Sequence, residues 1–92
     1  VDGVGLRLIC AWRGPGTEWL AEQDVDRRRL ERPQTAAHDV ARPGAVVRSL
    51  QTLDVGLFKG AAWPGFEHRA IVHRSPPANG DWRVLLTLDA LG

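Results

Sequence analysis

Two residues near the end of the sequence carry side chains that can bind a metal ion and an anion. His73 and Arg83 stand ten residues apart across a turn-rich segment. A hairpin about Ala78 would place both on one face of a sheet, and strands that cross between two sheets could still direct both into a barrel. A neutral imidazole nitrogen is a good ligand for Fe, Zn or Ni. An arginine that points inward from a strand needs an anion, and a carboxylate satisfies it in bidentate geometry.

Each of these residues also has a purely structural interpretation. Taken alone, His73 is better explained as a hydrogen-bonded structural histidine, and the spacing alone favours an Arg83 that lies at a strand edge and faces water. Thr17 and Trp19 follow a tight turn and can line the mouth of a cavity, but a packed tryptophan with exposed neighbours explains them about equally well. Asp2, at the start of the first predicted strand, is by itself a solvated terminal residue.

The two remaining histidines offer less chemistry. His38 lies in a loop without a hydrophobic pattern, and we expect it to be solvated. His68 precedes His73 by five residues, so in a regular strand it would lie on the opposite face.

Alternating apolar residues predict the strands that must position these side chains. From Val4 to Trp12 the apolar residues recur with a period of two, which is typical of a strand. Further strands are predicted over residues 53–59, 68–73 and 82–88, and the last of these is rich in Val, Leu and Thr. Four to six short strands with one weak helix predict an all-β fold, either a sandwich or a barrel.

The middle of the sequence lacks such a pattern. Residues 21–31 contain good helix formers and predict a short surface helix, which Pro33 would end. Residues 27–44 are predicted to form a loop or irregular insert, either a lid or a disordered insertion. A chain of 92 residues has room for one domain, so we predict a single domain over residues 1–92.

Composition limits the classes of partner. The formal net charge is +1, from 12 basic and 11 acidic residues, so charge gives no reason to expect nucleic acid or an anionic membrane. No stretch is apolar over a length that would span a membrane. The single cysteine excludes an internal disulfide and a cysteine-rich zinc site. A reducing, cytoplasmic environment fits this composition.

The sequence contains no methionine, and Val1 leads almost directly into a strand-like pattern. We therefore interpret the chain as a piece of a longer protein, the C-terminal part of a truncated domain.

Asp2, His73 and Arg83 together occur in an order that resembles the Fe(II)/2-oxoglutarate oxygenases. In that family two histidines and one aspartate form an open facial triad for non-haem iron. The resemblance implies an incomplete double-stranded β-helix (a cupin-like jelly roll), with Fe(II) and 2-oxoglutarate as cofactors. It implies that Asp2 and His73 are metal ligands, that a further histidine immediately precedes Val1, and that Arg83 binds the co-substrate carboxylate.

Longer runs resemble an uncharacterised bacterial family known only as a domain of unknown function (DUF1826-like), over nearly the whole chain outside residues 27–43. Its members carry a histidine two residues before the equivalent of Asp2. The runs that carry this resemblance are Leu6-Arg7-Leu8-Ile9-Cys10, Arg13-Gly14-Pro15-Gly16-Thr17-Glu18-Trp19-Leu20, Phe58-Lys59-Gly60, Trp63-Pro64-Gly65 and Val72-His73-Arg74-Ser75-Pro76-Pro77.

Two functions follow as hypotheses. The first is a metal-dependent, dioxygenase-like domain in which Arg83 binds a small carboxylate co-substrate and Thr17 and Trp19 line the same cofactor site. The second is a cupin-like binding or structural domain that keeps the barrel without catalytic activity. The sequence identifies neither the substrate, the metal nor the oligomeric state.

Overall fold

A computed structural model describes residues 3–30 and 40–90 of the chain. Within these residues the protein is mostly β-structure, with two very short helices. The elements in chain order are β1 (Leu6–Arg13), β2 (Glu18–Leu20), a 3₁₀ helix (Glu22–Asp24), α1 (Arg27–Leu30), β3 (Arg48–Ser49), β4 (Val55–Lys59), β5 (Val72–Arg74) and β6 (Val84–Asp89). The expected all-β class is therefore confirmed.

The strands form two antiparallel, three-stranded sheets. The first sheet has the order β4-β1-β6, and the second has the order β3-β2-β5. The long strand β1 is central and pairs with β4 along one edge and with β6 along the other. Along β1, Leu8 pairs with Leu57 on one side and with Leu88 on the other.

The two sheets approach each other at Phe58 and His73. Phe58 on β4 is buried, and its ring centroid lies 5.1 Å from that of His73 on β5. Because residues paired across an antiparallel sheet share a face, the face that carries Phe58 also carries Arg7 and Ile9 of β1. We call this the inner face of the first sheet.

The other side of the second sheet packs on the segment that follows β2. Leu20 and Val72 on the sheet form a buried cluster with Val25 and Val40. Val25 forms an isolated antiparallel bridge with Ala41, so both ends of the predicted 27–44 insert are anchored here. α1 occupies the beginning of that insert, and residues 31–39 lie outside the described residues.

The outer face of the first sheet is apolar and exposed. Val55, Leu57 and Leu88 have relative exposures of 60%, 63% and 56%. They alternate with inward-facing residues, so a continuous apolar surface remains open to solvent.

The predicted strand over 68–73 is too long. Only Val72–Arg74 is a strand, and residues 66–69 form turns closed by backbone hydrogen bonds from Phe66 to Trp63 (2.9 Å) and from Arg69 to Phe66 (3.1 Å). His68 is therefore an exposed turn residue rather than a strand residue opposite in orientation to His73. The reason is that the partner strand β2 has three residues, so it offers pairing to no more than three.

Of the two arrangements considered for the segment between His73 and Arg83, the hairpin about Ala78 does not form. β5 belongs to the second sheet and β6 to the first, so the chain crosses between sheets in this segment. The alternative arrangement, strands that cross between two sheets, is the one observed.

Candidate functional site

His73 lies on the face of the second sheet that approaches the first. It is half-buried in the middle of β5 and is paired with Trp19 of β2. Its Nδ1 atom is 3.3 Å from the carbonyl oxygen of Ile71. In the tautomer with Nδ1 protonated, that nitrogen donates to the carbonyl and Nε2 keeps a lone pair. Metal-binding histidines are commonly oriented by such a hydrogen bond from the other ring nitrogen.

Arg83 lies immediately before β6 and is half-buried. Its Nε donates a hydrogen bond to the carbonyl oxygen of Pro15 at 2.8 Å. Its Nη2 donates a longer one to the hydroxyl oxygen of Thr17 at 3.4 Å. Both acceptors are neutral, so neither compensates the positive charge of the guanidinium.

The acidic residues nearest to Arg83 in sequence are paired elsewhere. Asp81 accepts a hydrogen bond from Arg13 at 3.1 Å, and Asp89 accepts one from Arg7 at 2.6 Å. The hydrogen bond from Arg7 holds the pKa of Asp89 below its ordinary value. In the described part of the chain, no carboxylate lies within ion-pair distance of Arg83. The guanidinium thus keeps an unpaired charge in a partly desolvated position.

A close-packed turn brings Thr17 to Arg83. Thr17 is 3% exposed, and its carbonyl accepts a hydrogen bond from the backbone of Leu50 at 3.0 Å. A Cβ atom at Gly16 would lie 2.1 Å from the carbonyl oxygen of Leu50, so only glycine fits there. Gly14 adopts φ +84°, and the Cβ atom of any replacement would lie 3.3 Å from Cγ of Arg83. These glycines let the chain leave β1 and enter the second sheet beside Arg83.

Thr17 and Trp19 connect Arg83 with His73. The hydrogen bond between Leu50 and Thr17 continues the pairing of β2 with β3, so Thr17 and Trp19 lie on one face of an extended segment. Successive residues on one face of a strand are about 7 Å apart. Trp19 lies opposite His73 on that same face. Arg83 and His73 therefore flank the short stretch from Thr17 to Trp19, and we call Thr17, Trp19, His73 and Arg83 the inter-sheet cluster.

The predicted metal ligand Asp2 lies outside the described residues, as does His38. Among the residues that the structure does describe, no group of three or more His, Cys, Asp or Glu side chains is arranged to hold a metal ion. Asp2 and His73 as partners at one metal therefore stay a prediction.

Two members of this region were not foreseen from the sequence. Phe58 contacts the imidazole of His73, and Pro15 supplies the carbonyl for Arg83. The alternation within β4, where Gly56 and Phe58 are buried between exposed neighbours, could have placed Phe58 on an inward face. Nothing in the sequence indicates the role of Pro15, because it depends on a backbone oxygen 68 residues away from Arg83.

Comparison with known proteins adds the family. The family described as "Protein of unknown function (DUF1826)" matches residues 1–89. The chain belongs to this family. No curated protein and no solved structure matches this DUF1826 domain. In its described residues, the DUF1826 domain has no helix of the length and apolarity needed to cross a membrane.

Proposed function

We propose that this DUF1826 domain is a metal-dependent, dioxygenase-like domain that binds a small carboxylate co-substrate in the inter-sheet cluster. The observation that carries the proposal is Arg83, a half-buried guanidinium that has no carboxylate partner among the described residues. Leaving such a charge uncompensated is unfavourable, and a bound anion removes the penalty.

The cluster offers suitable contacts for a carboxylate. Arg83 already uses one hydrogen of Nη2 on Thr17 and its Nε on Pro15, so its remaining donors can form charge-assisted hydrogen bonds with carboxylate oxygens. The hydroxyl group of Thr17 is buried beside them and can donate to the same anion. Trp19, two residues further on, supplies an apolar wall. 2-Oxoglutarate is the co-substrate that the resemblance implies.

The fit to a metal rests on His73. The Ile71 carbonyl lies at hydrogen-bond distance from its Nδ1 atom and the ring packs against Phe58, so the imidazole is held in one orientation on the inward face. With Asp2 and the histidine that the resemblance implies before Val1, it would complete a ligand set for Fe(II). When bound, that metal would supply dioxygen activation, and the protein would fix the ligands and leave positions open.

One observation favours the second candidate, a cupin-like binding or structural domain without turnover. The two hydrogen bonds of Arg83 tie the segment before β6 to the turn between the two sheets. They give Arg83 a structural task that needs no ligand.

The test is binding of 2-oxoglutarate to the full-length, Fe(II)-loaded protein under anaerobic conditions, measured by calorimetry. We expect Arg83→Gln to weaken binding by about ten-fold or more, because hydrogen bonds to a charged group contribute about 1.5–3 kcal/mol. Arg13→Gln is the matched control, since Arg13 belongs to an exposed surface pair with Asp81.

Circular dichroism must show that both variants remain folded. Equal binding by wild type and Arg83→Gln would contradict the proposed role of Arg83. If the wild type does not bind 2-oxoglutarate at millimolar concentration, the structural alternative is the better description. Metal content of wild type and His73→Ala, determined on the same preparations, tests the ligand role of His73.

A further inference from the structure

A second arginine lies in line with the inter-sheet cluster. Trp19 pairs with Arg48 of β3 on one side and with His73 of β5 on the other. Residues paired across a sheet share a face, so Arg48, Trp19 and His73 form one row across the second sheet. The sequence offered no sign of this row, because its three residues are 25 to 54 positions apart.

The row faces the first sheet. His73 contacts Phe58 of the first sheet, whereas Leu20 and Val72, which alternate with Trp19 and His73, are buried on the opposite side. The side chain of Arg48 therefore projects from the same face of the second sheet as the side chain of His73, the proposed metal ligand. Its strand is the edge of the sheet, so its side chain remains exposed to incoming molecules.

The side chain of Arg48 is positioned by the aromatic ring of Trp19. Its guanidinium carbon lies 5.5 Å from the ring centroid of Trp19, which is within range of a cation–π interaction. Within the described residues it has no carboxylate partner. Arg74 differs from Arg48 in this respect. It lies next to His73 but on the opposite face, and it forms an ion pair with Glu18 at 2.7 Å. The guanidinium of Arg48 is thus held near Trp19, and its positive charge remains available to bind an anion.

We propose that Arg48, held on Trp19, binds the anionic group of the substrate that reacts beside His73. The substrate would then be a small molecule that carries a carboxylate or a phosphate. This inference rests on the proposed function, which assigns Arg83 to the co-substrate and leaves Arg48 for the substrate. The two arginines contact different residues of one segment, Thr17 for Arg83 and Trp19 for Arg48, so two anions can be bound side by side.

The test uses benzoate and inorganic phosphate as probes, titrated by calorimetry into the full-length protein loaded with Fe(II) and 2-oxoglutarate under anaerobic conditions. We expect one of the two probes to bind, and Arg48→Gln to weaken its binding about ten-fold or more, the factor typical of a charge-assisted contact. The preferred probe distinguishes a carboxylate from a phosphate substrate. Arg28→Gln is the matched control, because Arg28 is exposed on α1 outside the row.

The outcomes separate this inference from the proposed function. If 2-oxoglutarate binds through Arg83 but neither probe binds, or if Arg48→Gln binds the preferred probe as wild type does, the inference is overturned and the proposed function stands. The probes are also titrated into metal-free protein. If 2-oxoglutarate fails to bind while a probe binds in an Arg48-dependent way, the anion site stands and the oxygenase assignment fails.

Discussion

At the scale of single residues, Gly16 marks the tightest point of the turn that positions Thr17. A Cβ atom there would lie 2.1 Å from the carbonyl oxygen of Leu50, and backbone atoms cannot move aside as a flexible side chain can. We expect Gly16→Ala to lower the free energy of unfolding by about 3 kcal/mol, the upper end of the usual range for overpacking. Urea denaturation measures the change.

The control for Gly16→Ala is Gly3→Ala. A Cβ atom at Gly3 meets nothing within 4 Å, so we expect a change within about 0.5 kcal/mol. Similar stabilities for the two variants would show that the close approach of Gly16 to Leu50 does not constrain the turn.

The hydrogen bond between Arg7 and Asp89 predicts how the stability of the fold depends on pH. The hydrogen bond from Arg7 lowers the pKa of Asp89 in the folded state. A group with a lowered pKa stabilises the fold at pH values above its unfolded pKa, and that contribution is lost as the pH falls through the folded pKa. We expect wild type to be more stable than Asp89→Asn at neutral pH, and the difference to shrink below about pH 4.

Unfolding free energies of wild type and Asp89→Asn, measured by denaturation from neutral to acidic pH, check this prediction. Asp54→Asn is the comparison, because the Asp54 carboxylate accepts a backbone hydrogen bond and has no ion pair with any residue that the structure describes. A difference between wild type and Asp89→Asn that does not depend on pH would contradict the assigned cause.

At the scale of elements, the stability of the second sheet depends on the segment that covers its back. Val25 is 2% exposed in the cluster with Leu20, Val40 and Val72. The short helices at residues 22–30 have too few turns to be stable alone, so this packing must hold them. We expect Val25→Ala to cost about 1–3 kcal/mol, by lost burial and a residual cavity.

Val46→Ala is the matched substitution outside the cluster. Val46 is 60% exposed, and we expect its truncation to change the unfolding free energy by no more than about 0.5 kcal/mol. Thermal or urea denaturation of both variants provides the comparison, and equal losses would show that the covering segment contributes little.

At the scale of the whole molecule, the exposed outer face of the first sheet is the surface that favours self-association. Leu57 and Leu88 flank Leu8 in one row across three strands, and both are more than half exposed. Contiguous apolar surface of this kind promotes association in water. We expect the 92-residue chain to self-associate, and the double variant Leu57→Lys/Leu88→Lys to shift it towards monomer in sedimentation velocity.

The control adds the same charge elsewhere. Val46 and Val47 are also exposed, at 60% and 46%, but lie outside the first sheet. Val46→Lys/Val47→Lys should leave the association largely unchanged. If both double variants become monomeric to the same extent, net charge and not the outer face is responsible.

The sequence by itself determined the local elements that alternation controls. The period-two run predicted at residues 4–12 overlaps β1 (Leu6–Arg13), and the runs predicted at 53–59 and 82–88 overlap β4 (Val55–Lys59) and β6 (Val84–Asp89). The all-β class followed from these runs, and the quoted motifs indicated the family. Side chains that alternate along a strand report the burial of its two faces, so this information is local.

Only the tertiary structure decided which strands pair and which side chains meet. β2 follows β1 after a tight turn but joins the other sheet, where it places Trp19 between Arg48 and His73. Arg83 meets Thr17 across 66 residues of chain. The pairing of short strands depends on backbone hydrogen bonds, which are the same for every residue type, and on contacts far apart in sequence. A pattern confined to one strand therefore cannot specify its partner.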